Sequence, residues 1–412
     1  MAARDEFRVY GYRWIVLVAY MAIVALNQLL WITFAPVTVE AAKFYGVSDL
    51  YIGLLSMSFM IVYIVVSIPA SWAIDTWGIR IAVGIGAALT GIFGLMRGLV
   101  SDNYTLAMIA QVGIAVGQPF ILNAVTTVAA RWFPMRERAT AVGLGSLAIY
   151  LGILGGVALT PWLTIQYGFS EMLWVYGVAS IGAAIIFFVF GKERPASPPC
   201  PPELEARSLV FDGLKQIMHQ KDFILLLVIF FVGLGVFNAV TTWIEDILRP
   251  RGFSITQAGA VGGMMIGGGI LGAIIFPLLS DYYRKRKPFI ILALMGATVG
   301  LMGVAYGPGF TVVSLGAFLL GFSLLSAGPI GFQYGAEATY PTPEGTSNGL
   351  LILMGQISGI IFIFGMDAFK SPKTGDMTAS LTVLIILMVL SALLSLRLKE
   401  PDTLLTEELK EE

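Results

Sequence analysis

Residues Gly191 to Lys221 read GKERPASPPCPPELEARSLVFDGLKQIMHQK, the only long polar segment in the chain. Five of the 19 prolines fall between Pro195 and Pro202, and charges of both signs follow. Such a run cannot enter hydrocarbon, so it reads as an aqueous linker carrying a short surface helix from Leu204 to Met218. The chain on either side is strongly apolar, and the segment cuts it into two similar halves.

Of the 412 residues, 57% are hydrophobic and only 12% charged, with a mean hydropathy of +0.84. A soluble core of this length would leave much of that apolar surface in water, so the composition indicates an all-α, multi-pass membrane protein whose solvent is the lipid bilayer. The net charge of -1 and the lack of a long basic block give no reason to expect nucleic acid. A single cysteine, Cys200, excludes an internal disulfide and any cysteine-based metal cluster. The single histidine, His219, also lies in the linker, so no metal site and no cofactor are expected. The first apolar stretch is too long for a cleavable signal core.

Apolar windows place twelve spans at about 13–40, 48–75, 79–99, 104–130, 138–164, 172–191, 221–248, 256–281, 287–306, 309–336, 345–370 and 377–397. Each is long enough, at about 1.5 Å per residue, to cross a ~30 Å hydrocarbon core as a helix. Backbone groups in lipid must bond internally, and nothing shows the alternation of a barrel. The expected organisation is a bundle over 1–191, a linker over 192–220, a second bundle over 221–397 and a tail over 398–412. With both termini in the cytoplasm, 19 of the 25 Lys and Arg residues fall on the cytoplasmic side and 6 outside. That bias sets the orientation.

The halves repeat. Asp75-Thr-Trp-Gly78-Ile-Arg80 follows the second span, and Asp281-Tyr-Tyr-Arg284-Lys-Arg286 follows the eighth, 206 residues later. Phe133-Pro134-Met-Arg-Glu137 follows the fourth span, and Tyr340-Pro341-Thr-Pro-Glu344 follows the tenth, 207 residues later. Two pairs at nearly one offset imply two pseudo-symmetric six-helix bundles. The arrangement resembles the major facilitator superfamily, which carries its substrate site near the middle of the membrane between parallel halves. The Asp75 stretch is similar to that superfamily's signature between its second and third helices. Asp75, Gly78 and Arg80 match, while Ser71 replaces the leading glycine and Thr76 a basic residue. The resemblance implies that Asp75, Gly78 and Arg80, with Asp281, Arg284, Glu337 and Glu344 in the second half, gate the cytoplasmic side. Read locally, Asp75 caps a tight two-helix turn. The mid-helix Gly-Pro pair of antiporters is missing from span 5, which disfavours antiport.

No Asp, Glu, Lys or Arg falls in the central half of any span. This argues against proton-coupled transport and against a small-anion substrate, both of which call for buried charge. Neutral amides occupy the middle instead: Asn27 and Gln28 in span 1, Gln118 and Asn123 in span 4, Asn238 in span 7, Gln333 in span 10 and Gln356 in span 11. An amide facing lipid would go unsatisfied, so each faces either a cavity or a neighbouring helix. Glycines crowd spans 5 and 8, where close helix packing is the default explanation.

Four stretches carry a narrower resemblance. Tyr12-Arg-Trp14 with Gln28-Leu-Leu-Trp31-Ile, Gln118-Pro-Phe-Ile-Leu, Gly235-Val-Phe-Asn-Ala-Val-Thr-Thr, and Glu337-Ala-Thr-Tyr-Pro-Thr-Pro-Glu-Gly-Thr-Ser-Asn-Gly349 leading to Gln356 are similar to the feline leukaemia virus subgroup C receptor-related transporters. The resemblance implies a choline or ethanolamine transporter, with haem export attributed to relatives. It also implies that Trp31, Gln118 and Gln356 contact the substrate. Asn238 departs from the family, which has Tyr at that position. A quaternary ammonium is held by aromatic faces, each worth roughly 0.5 to 2 kcal/mol, so a choline cage would need Tyr63, Phe120 or Tyr334 beside Trp31.

The expectation is therefore a plasma-membrane transporter that passes a small organic amine through a neutral cavity by alternating access. With no buried titratable group, uniport by a monomer is the simplest mechanism. Export of haem or another amphipathic compound is the alternative within transport, and a transport-inactive receptor the alternative outside it. No catalytic cluster suggests an enzyme.

Overall fold

The computed structural model describes residues 9–197, 220–283, 285–339 and 344–400, apart from side chains at 75, 135, 136, 138–140, 281, 336, 344–346 and 348. The expected linker helix, Arg284, and the side chains of Asp75, Asp281 and Glu344 lie outside the described residues. All regular structure among the described residues is helical, and twelve helices are long and apolar enough to cross a membrane.

The chain falls into two compact units, Met1–Arg207 and Ser208–Glu412. The first holds α1 (Arg13–Ile32), α2 (Asp49–Trp77), α3 (Ile79–Leu99), α4 (Tyr104–Leu122), α5 (Met135–Tyr167) and α6 (Phe169–Phe190). The second holds α7 (Lys221–Thr242), α8 (Ile255–Tyr282), α9 (Lys287–Tyr306), α10 (Gly309–Ala338), α11 (Glu344–Ala368) and α12 (Thr378–Ser395). In the first unit α3 packs on α4 and α6, and α1 on α5. In the second α10 packs on α8 and α9, and α7 on α11.

Three spans expected to be continuous are broken. The first stops at Ile32 and resumes at Ala35 as one 3₁₀ turn leading into Thr38–Tyr45. Pro36 sits at the start of that turn and has no N–H for the carbonyl of Ile32, so the helix ends before it. The fourth stops at Leu122, where Ala124 N–H reaches back only three residues to the Ile121 carbonyl at 3.3 Å, and a separate helix covers Val125–Trp132. The seventh stops at Thr242 and continues as Ile244–Leu248. Helix α5 begins three residues earlier than expected, directly after Pro134 at its N-cap; the fixed φ of proline suits a helix start.

Small residues set the helix spacing. A methyl group on Gly117 would stand 2.8 Å from the Gly86 carbonyl, and one on Gly86 2.7 Å from that of Gly117. The backbones of α3 and α4 therefore touch there, as close-packed membrane helices do.

Candidate functional site

The mid-membrane amides of the first unit divide by their partners. Asn27 is 0% exposed. Its Nδ2 donates to Thr90 Oγ1 at 3.1 Å and to the Ile114 carbonyl at 3.4 Å, and its Oδ1 accepts from Gln28 Nε2 at 3.3 Å. Asn27 thus ties α1 to α3 and α4, the interhelical role of the two open to it. Asn123 closes a similar node at the break in α4: Oδ1 accepts from the Tyr63 hydroxyl at 2.7 Å, and Nδ2 donates to Ser67 Oγ at 3.1 Å and Ser71 Oγ at 3.0 Å. Ser71, the departure from the signature glycine, is thereby accounted for as a partner of Asn123.

Gln118 differs from both. It is 94% buried, with only 6% of its surface exposed, and its amide has no hydrogen-bond partner among the described residues. Its amide atoms are not sealed from solvent, so they are free to bond water or a solute. Trp31 is equally buried, and its Nε1–H donates to the Ser56 carbonyl on α2 at 3.1 Å. That bond fixes the indole and leaves its ring as the part able to meet a ligand.

In the second unit Asn238 Nδ2 donates to the Gly355 carbonyl of α11 at 3.2 Å. Gln356, the next residue, is half-buried and has no hydrogen-bond partner among the described residues. Gln333 is exposed and donates to Glu337 at 2.8 Å, so it belongs with the charged groups at the end of α10. Tyr334 is spoken for as well, since its hydroxyl donates to the Lys399 carbonyl at 2.6 Å. Of the aromatics considered for a cage, Tyr63 is buried and bonded to Asn123, and Phe120 is half-buried.

The gating motif shows a partner that the repeats as read from sequence did not include. Gly78 joins α2 to α3 with φ +88°, a left-handed value favouring glycine. Beside it, Arg80 N–H donates to Glu193 Oε2 at 2.8 Å, and Arg131 forms an ion pair with the same carboxylate. In the second unit Glu400 accepts from the backbone of Arg286 and from Lys287 N–H at 3.2 Å. Each glutamate thus takes the first backbone donors of a helix, α3 or α9, where the dipole favours an anion. Lys192-Glu193 and Lys399-Glu400 stand 207 residues apart, the offset of the other repeats, and that signal would have found them. Glu337 takes the Arg286 guanidinium, with Nε at 3.3 Å and Nη2 at 3.1 Å.

Charges near span ends are also buried. Arg97, expected on the outer side, is 0% exposed and has no carboxylate partner among the described residues. It donates to the Leu30 carbonyl at 2.9 Å, Gln111 Oε1 at 2.6 Å and Thr33 Oγ1 at 3.2 Å, and lies 5.2 Å from the Phe34 ring centroid. Asp246, 2% exposed, pairs with Lys370 at 2.5 Å, and Glu245 with Arg249 at 2.9 Å. Between spans, burial lowers the pKa of Arg251, opposed by the charge of Asp376; its guanidinium caps α9 at the Gly307 carbonyl, 2.6 Å away.

The model of the Major Facilitator Superfamily matches residues 16–363. Solute carrier family 49 member A3 of Xenopus tropicalis is 32% identical over 89% of this chain and 80% of its own length. Choline/ethanolamine transporter FLVCR1 of Felis catus is 28% identical over 88% of this chain and 69% of its own. Among solved structures, a bacterial homologue of the human lysosomal transporter Spinster, inward-facing and unoccupied, superposes with a TM-score of 0.75 at 16% identity over 94% of this chain and 97% of that one. The chain belongs to the Major Facilitator Superfamily: it is a multi-pass membrane transporter, not an enzyme, and it is related to the choline/ethanolamine transporters.

Proposed function

We propose that the protein carries a small organic amine of the choline and ethanolamine class across the plasma membrane, as a uniporter working by alternating access with both termini in the cytoplasm. The observations that carry this reading are the Gln118 amide, which has no hydrogen-bond partner among the described residues although only 6% of the residue's surface is exposed, and the Trp31 indole, whose N–H is already engaged by the Ser56 carbonyl. An aromatic face and neutral amides suit a cation whose charge is diffuse or shed to hydrogen bonds, and they offer nothing to an anion. Trp31, Gln118, Asn238 and Gln356 contact the solute in this reading. Asn27 and Asn123 hold helices, while Gly78, Arg80 and Glu337 serve the cytoplasmic side together with Asp75, Asp281, Arg284 and Glu344. The relatives named choline/ethanolamine transporters support the substrate class.

The test is uptake of labelled choline and ethanolamine into liposomes at several imposed membrane potentials. Saturable, potential-driven uptake that Trp31→Ala and Gln118→Ala each reduce at least about tenfold is expected. Transport of neither compound overturns the reading. Uptake that stops when the proton gradient is collapsed at fixed potential overturns uniport.

A further inference from the structure

The close approach of α7 and α11 decides which atom of Asn238 a solute can meet. A methyl group on Gly355 would stand 2.5 Å from Leu234 Cδ1, and one on Gly235 2.7 Å from both Ser358 Oγ and Phe362 Cδ2. Neither position accepts a side chain, and the two helices come near enough for a short amide on one to reach the backbone of the other. Asn238 makes that reach, Nδ2 to the Gly355 carbonyl at 3.2 Å. Only the NH₂ end of an amide can face a carbonyl oxygen, because the flipped form would set two acceptors against each other. The amide is therefore locked. Its carbonyl, Oδ1, points away from Gly355 and has no hydrogen-bond partner among the described residues.

We propose that Asn238 is a selectivity residue that accepts a hydrogen bond from the ammonium group of the substrate, and so favours an ethanolamine-like amine bearing N–H over a fully N-methylated one. This rests on the reading that the protein transports a small amine. A primary ammonium brings three N–H donors and gives one to Oδ1. A trimethylammonium brings none, and its methyl groups would strip water from Oδ1 without replacing the bond. A site built to accept a hydrogen bond rejects the analogue lacking the donor far more strongly than a greasy pocket rejects an extra methyl. The hydroxyl is common to ethanolamine and choline and does not separate them. No carboxylate is needed for this discrimination, in keeping with the lack of acidic residues in the central half of the spans.

The experiment is competition against labelled ethanolamine in liposomes by unlabelled ethanolamine, its N-methyl and N,N-dimethyl derivatives, and choline. The three compounds with an N–H are expected to compete comparably, and choline at least about tenfold more weakly, the loss of one hydrogen bond from a charged donor to the half-buried Asn238. Asn238→Ala is expected to flatten the series by weakening the N–H compounds. Choline competing as well as ethanolamine in the wild type overturns the proposal while leaving the amine reading intact. A step to choline that persists unchanged in Asn238→Ala likewise overturns it. If neither ethanolamine nor choline is transported at all, the amine reading falls and this proposal with it. The wild-type series needs no variant, so the outcome does not depend on Asn238→Ala folding.

Discussion

Arg97 Nη1 donates to the Leu30 carbonyl at 2.9 Å, and this contact makes a buried cation the cap of a broken helix. Where α1 stops at Ile32, the carbonyls of its last turn lose their i+4 donors. The helix end also carries about half a negative charge. That partial charge, with Gln111, Thr33 and the Phe34 ring, takes the place of the missing carboxylate. Replacing Arg97 by Gln is expected to cost about 2 to 4 kcal/mol of stability. Arg97→Lys should recover little, because one ammonium cannot span the three acceptors. Thermal unfolding in detergent measures both, and an unchanged midpoint for Arg97→Gln would refute the capping role.

Asn27 and Gln118 are both buried mid-membrane amides, and they should respond in opposite ways. Asn27→Ala strands Thr90, Gln28 and the Ile114 carbonyl and should cost about 1 to 3 kcal/mol. Gln118→Ala removes an unpaired group and should leave stability within about 0.5 kcal/mol, while uptake falls. A Gln118→Ala variant that is strongly destabilised would show that the amide has a structural partner after all.

Trp31 separates ring from N–H. Trp31→Phe keeps an aromatic face but releases the Ser56 carbonyl, so KM should rise several-fold with transport retained; Trp31→Ala should lose about tenfold or more. Equal KM values for Phe and Ala would mean that the ring face does not meet the solute.

Gly78 has two reasons to be glycine. Its φ of +88° disfavours any Cβ, and a methyl group there would collide with the Glu193 carboxylate. Gly78→Ala is expected to destabilise by about 1 to 2 kcal/mol. Combining it with Glu193→Ala should cost less than the two single changes added together, since the collision is then gone. Strict additivity in thermal unfolding would be evidence against the contact.

The twelve spans and the two-bundle pattern were legible because hydrophobic length and a repeat offset are properties of the sequence itself. The breaks in the first, fourth and seventh spans were not, because a window average does not register a turn of one or two residues inside an apolar run. The same limit applies to the amides. Asn27, Asn123 and Gln118 are alike in type, and what separates them is that Thr90 and Ser71 stand across the helix interface from the first two, while Gln118 has no hydrogen-bond partner among the described residues. Arg97 was placed at a span end from its position, correctly along the axis. Its burial depends on α1 breaking next to it, which only the folded chain shows. Glu193 and Glu400 share the 207-residue offset of the other repeats, but they lie in polar flanks outside the apolar spans.

The pair Glu193 and Glu400 bears on how the chain is made. Glu193 braces Arg80 and Arg131, and Glu400 braces Arg286 and Lys287, each within its own unit. The brace of the first bundle is thus complete within that bundle's own stretch of chain and needs no residue of the second. Each half carries its own fastening at its own end, and biogenesis can proceed as two successive closures of one design.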